Sequence, residues 1–123
     1  MLAADPAAVE AKLRTLALAL PEAAEKLSHG APAFFVAGKQ FAYFAHNHHG
    51  DGMTMVGVKT HGRDEQDFLI EADPDTYSWP AYTGGAGWIA ISLAEPDWAL
   101  VEARLLTSWK LAAPKRLVGA LAD

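Results

Sequence analysis

Val9, Leu13, Leu16, Ala17 and Leu20 recur at helical spacing, and they predict one amphipathic helix near the start of the chain. Asp5 suits the N-cap and Pro6 the first helical position, where a missing N–H costs nothing. Pro21 ends that run, and Glu22 to Ser28 predicts a further short turn of helix before Gly30 and Pro32 break it. Ala33 to Val36 and Gln40 to Phe44 are rich in aromatics and flank the turn residues Ala37, Gly38 and Lys39, the pattern of a β-hairpin. Its apolar groups fall on both faces. The turn-rich run His46 to Gly52 follows, and Met53 to Lys59 resumes as a strand with Val56 and Val58 on one face.

Arg63 to Ala72 predicts a second helix, with Asp64 and Glu65 placed to suit the dipole of its first turn and Phe68, Leu69 and Ala72 as its apolar positions. Tyr77 to Tyr82 reads as extended. It contains Pro80 and so belongs at a sheet edge. Thr83 to Gly87 is a glycine-rich loop, and Trp88 to Leu93 alternates with Ile89, Ile91 and Leu93 facing one way. From Pro96 a third helix sets Trp98, Val101, Leu105, Trp109 and Ala112 on one stripe, and Pro114 stops it before a short tail at Lys115 to Leu117. The predicted order α-β-β-β-α-β-β-α defines a two-layer α+β domain, an antiparallel sheet with helices on one face. With neither repeat nor linker, residues 1–123 form a single domain.

Composition narrows the chemistry. Half the residues are hydrophobic and a fifth are charged, a globular balance. There is no cysteine, which excludes disulfides, thiolate nucleophiles and Cys-ligated metal centres. No stretch is long and apolar enough for a membrane span, and the Ala-rich, acid-containing start does not read as a secretory signal, so the cytoplasm is the expected compartment. The net charge of −5 is unevenly spread: +1 over residues 1–63, −9 over 64–103 and +3 over 104–123. An acidic middle argues against strong binding to phosphates, because counterion release supplies most nucleic-acid affinity.

Ser28 to Phe44 (SHGAPAFFVAGKQFAYF), His48 to Gly52 (HHGDG), Ala81 to Trp88 (AYTGGAGW) and Ala113 to Leu117 (APKRL), taken in this element order, resemble the MmcQ/YjbR-like family. The resemblance runs over nearly the whole chain. It implies a two-layer α+β domain similar to secretion chaperones, and a double wing role in DNA binding. The wings would be the turn at Gly38, Lys39 and Gln40 and the turn at Gly84, Gly85 and Gly87. Only the first carries a cation. On this reading Lys39, Lys59, Lys110, Lys115 and Arg116 are the candidate nucleic-acid contacts, and DNA is held weakly. The competing reading of Lys110, Lys115 and Arg116 is that they complement the dipole at a helix end.

Other constellations stand beside that one. Trp98 and Trp109 belong to a core stripe, whereas Tyr77, Trp79, Tyr82 and Trp88 could form an open aromatic edge for a small ligand or a protein partner. Burial against the sheet is the alternative. His46, His48 and His49 with Asp51 either form a polar turn or, as a minority reading, hold zinc or nickel; their spacing matches no established signature. Ser28 beside His29 is a helix-exit cap rather than a nucleophile pair, since sequence neighbours rarely face each other. The triple-glycine loop leads into a strand and lacks Gly-Lys-Ser/Thr, so it does not cradle phosphate. The sequence therefore points to a non-enzymatic binding domain without a cofactor.

Overall fold

The computed structural model describes residues 1–122. Helix α1 spans Pro6–Leu18, and the Asp5 side chain accepts the Ala8 amide at 3.1 Å as the expected cap. Strands β1 (Ala23–Ser28), β2 (Ala31–Val36), β3 (Lys39–His46) and β4 (Thr54–Lys59) precede helix α2 (Arg63–Ala72). The short strand β5 (Tyr77–Ser78), strand β6 (Trp88–Ser92) and helices α3 (Trp98–Ala112) and α4 (Lys115–Ala122) complete the chain. All pairings are antiparallel, in the order β1-β2-β3-β4-β6-β5.

Three sequence expectations need correction. Residues from Ala23 to Ser28 form an edge strand, not a turn of helix, because Glu22 adopts φ 55° and redirects the chain after Pro21. His29 and Gly30 then both take left-handed backbone, φ 52° and 79°, giving the two-residue turn whose twist suits a hairpin. Ala37 and Gly38 repeat it between β2 and β3 at φ 49° and 79°. The tail at Lys115 is the first turn of α4: Pro114 ends α3, and its carbonyl accepts the Leu117 and Val118 amides. In α2 the inward positions are Gln66, Leu69 and Ile70, while Phe68 is 69% exposed and Ala72 also faces solvent. The observed order is α-β-β-β-β-α-β-β-α-α.

Register aligns the core in rows across the sheet. Phe34, Ala42, Val58 and Ile89 are successive partners, as are Phe44, Val56, Ile91 and Tyr77. A bulge opposite Phe34 and Phe35 lets both Phe41 and Ala42 be buried, which explains the hairpin's apolar groups on successive positions. Leu13 and Ala17 of α1 and Val101, Leu105 and Trp109 of α3 join this core, with Leu117 of α4. The Ser108 hydroxyl donates to the Phe41 carbonyl and accepts the Lys59 amide at 2.8 Å, so α3 is tied to β3 and β4 at once. Arg104 of α3 pairs with Glu65 of α2 at 3.3 Å. The helices thus gather on one face, and the other face is left to side chains of the strands and to residues 79–87. No helix among the described residues is long and apolar enough to cross a membrane.

Candidate functional site

The strand register brings distant cations to one end of the sheet. Lys39 opens β3 opposite Val36, and Lys59 closes β4 opposite Trp88, at that same end. Trp109 donates its indole N–H to the Pro21 carbonyl at 3.0 Å, placing the C-terminus of α3 and hence Lys110 beside the entry to β1, whose Ala23 also pairs with Val36. Arg116 reaches Glu22 at 3.3 Å, with Lys115 next to it at the start of α4. Lys39, Lys110, Lys115 and Arg116 are exposed. Among the described residues Lys39, Lys59, Lys110 and Lys115 have no carboxylate partner. Lys59 lies over the Trp88 ring at 5.9 Å, on the sheet face away from the helices, so the five cations share an end rather than a face.

The opposite end is acidic. Asp73, Asp75, Glu95 and Asp97 line a cleft there with Met1 and Met53, beyond the start of β4 and the end of β6. The acids of α2 do not share that end: Asp64 and Glu65 open the helix just after Lys59, beside the cations, and Glu22 pairs with Arg116 there.

The two expected wings differ. The turn at Ala37 and Gly38 projects freely, exposed with Lys39 beside it. The loop at Thr83 to Gly87 is packed instead. Gly84 lies so close under the Trp79 indole that a Cβ there would meet its ring nitrogen at 2.1 Å, and the Gln66 amide donates to the Gly84 and Trp88 carbonyls at 2.8 and 2.6 Å. Gln66 is 1% exposed, a burial the sequence does not signal, because a polar residue on an acidic helix carries no sign of it.

The aromatic quartet does not form one surface. Tyr77 is buried in the core row on the helix side, and Trp88 is only 8% exposed. Trp79 is 43% exposed with the Arg63 guanidinium 5.1 Å from its ring centre, and Tyr82 is 75% exposed. The residue missed was Tyr43. Its ring stands against Trp88 at 5.6 Å and shares a hydroxyl hydrogen bond of 2.8 Å with Thr83. Burial raises the Tyr43 pKa above that of an ordinary phenol, and the bond to Thr83 opposes part of that rise. Tyr43 therefore fixes Thr83 over the open face.

The histidine run is split: His48 and His49 stand ring beside ring at 4.0 Å, while His46 and Asp51 engage other partners. The His46 ring nitrogen Nδ1 bonds the Thr54 hydroxyl at 2.7 Å, Asp51 accepts the Met53 amide at 3.0 Å, and His48 meets the edge of Tyr82 at 5.9 Å. No group of three His, Asp or Glu side chains among the described residues is arranged to hold a metal ion.

A family model described as YjbR matches residues 18–111, well over half the sequence. The chain belongs to the YjbR family. The crystal structure of Deinococcus radiodurans protein DR2400, a DUF419 domain, has a similar fold, with a TM-score of 0.67 at 17% identity over 90% of this chain and 78% of that one. No curated protein matches the chain. The six-stranded antiparallel sheet with four helices is thus the fold of this YjbR domain.

One glycine of this YjbR fold exists to admit Tyr43. Gly57 pairs with Tyr43 across β3 and β4, and a Cβ at Gly57 would come within 2.3 Å of the Tyr43 ring. Gly57→Ala is expected to cost about 2 kcal/mol, in the range of overpacking in a well-packed site. In a Tyr43→Ala background the same change is expected to cost close to nothing, since the obstructing ring is gone. Urea denaturation of the four proteins of this cycle measures the difference. Equal costs in both backgrounds would show that the ring is not what excludes a side chain.

Proposed function

We propose that this YjbR domain is a non-enzymatic, cytoplasmic binding protein that holds duplex DNA weakly through its cationic end. The observation that supports this reading is the gathering of Lys39, Lys59, Lys110, Lys115 and Arg116 at one end of the sheet, with the Asp73, Asp75, Glu95 and Asp97 cleft at the other. The β2–β3 turn serves as a single wing beside the start of α4. The packed glycine loop is not a second one.

With about three to five phosphate contacts, affinity falls roughly 10²-fold between about 50 and 200 mM salt and depends little on base sequence. Fluorescence anisotropy of labelled duplexes of two unrelated sequences at both salt levels tests this. Binding that is insensitive to salt, or absent at 50 mM, would contradict it.

A further inference from the structure

On the face of the sheet away from the helices lies an open groove of about 770 Å³. We propose that it is a binding site for a neutral, planar aromatic small molecule, a site independent of the cationic end. Its volume falls within the range of small-molecule pockets. Its lining holds no Lys, Arg, Asp or Glu, in a chain where a fifth of residues are charged. Its basic side chains are the imidazoles of His29, His48 and His49, which offer hydrogen bonds to a neutral polar group and give a cation no counter-charge, so the occupant is an uncharged ring.

The shape selects a flat ring. Ala31 and Ala45 present only methyl groups on this face, leaving space above the strands, while Tyr43 rises from the floor between them and the Thr83 loop. Tyr82 also lines the groove, its ring met at the edge by His48 at 5.9 Å and 75% exposed. A planar ring lying on the alanines between these aromatic walls gains stacking or edge contacts on both sides, which a saturated ring of equal size does not. Ser28 and Gln40 bring a hydroxyl and an amide to the lining, donors and acceptors suited to a polar substituent such as a carboxamide.

Three probes of matched size isolate these features: naphthalene-2-carboxamide, the anion 2-naphthoate, and the saturated decahydronaphthalene-2-carboxamide. In nitrogen-15 chemical-shift titrations the aromatic amide is expected to shift Tyr43, Ala45, His48, Tyr82 and Thr83 saturably. The anion and the saturated amide are expected to bind at least about fivefold more weakly, about 1 kcal/mol or more at equal site. Ala45→Trp, which fills the floor, should abolish the shifts, and Tyr82→Ala should weaken binding about tenfold, each with an unchanged circular dichroism spectrum. If Ala45→Trp disturbs the fold, Tyr82→Ala alone carries the test, because its side chain is mostly exposed. Shifts that never saturate, that fall elsewhere, or that are as strong with 2-naphthoate would overturn the assignment. Concentration-dependent shifts of the same residues without any probe would overturn it in favour of a second copy of the chain.

Discussion

Trp109→Ala should lower the unfolding free energy by about 3–5 kcal/mol, the usual cost of emptying a buried tryptophan site. Trp109 is fully buried among the residues of α1, α3 and the sheet, and its indole N–H is bonded to the Pro21 carbonyl. Truncation therefore leaves a large cavity, and it also strips a partner from the carbonyl at the α1–β1 junction. Domains of this kind are stable by about 5–15 kcal/mol in total, so the loss consumes a large share of it. Tm should fall by about 10 °C or more. The matched control is Phe68→Ala on the solvent side of α2, 69% exposed, where a change within about 0.5 kcal/mol is expected. Calorimetry of the three proteins reads both numbers; a Trp109 effect below about 1 kcal/mol would mean that α3 is not anchored as described.

Joint reversal of Lys115 and Arg116 to Glu should weaken DNA binding by about 10²-fold or more at 50 mM salt. Two phosphate contacts are lost and two repulsions replace them, and the slope of log affinity against log salt should flatten by about 2. The fold should survive, because both side chains are exposed and the Arg116–Glu22 pair, with side chains 66% and 54% accessible, contributes little. Lys39→Glu should weaken binding to a lesser extent through the single wing. Lys12→Glu on α1, exposed and outside the cationic end, should leave the affinity nearly unchanged. Anisotropy titrations of the four proteins, with circular dichroism as a fold check, measure this. Indifference to all reversals would remove DNA from the reading.

Strong local patterns are legible in the sequence itself. The alternation Ile89, Ile91, Leu93 and the stripe Val101, Leu105, Trp109 survive because each element buries one continuous face and its period records it. Strand β1 was not legible, because Ala23 to Ser28 lies at an edge with Leu27 77% exposed and no alternation to betray a strand. What decides its state is the partner β2 and the left-handed turn at His29 and Gly30, which are tertiary facts. The same limit governed the sites. The five cations are up to several dozen residues apart in the chain, and register and the Trp109–Pro21 bond bring them to one end. In the sequence Tyr43 is one hairpin aromatic among several, and only the contacts with Gly57, Trp88 and Thr83 set it apart. The aromatic quartet is divided between two faces because alternation within the short edge strand turns Tyr77 inward beside Ile91.

Nitrogen-15 chemical-shift mapping during titration with a short DNA duplex at about 50 mM salt tests the central claim most directly, because it reports place as well as binding. The account predicts shifts concentrated at Lys39, Lys59, Lys110, Lys115 and Arg116 and their chain neighbours, fading as salt is raised toward 200 mM. The cleft at Asp73, Asp75, Glu95 and Asp97 should stay silent. Shifts centred on that acidic end, or on the open groove around Tyr43 and Tyr82, would contradict it.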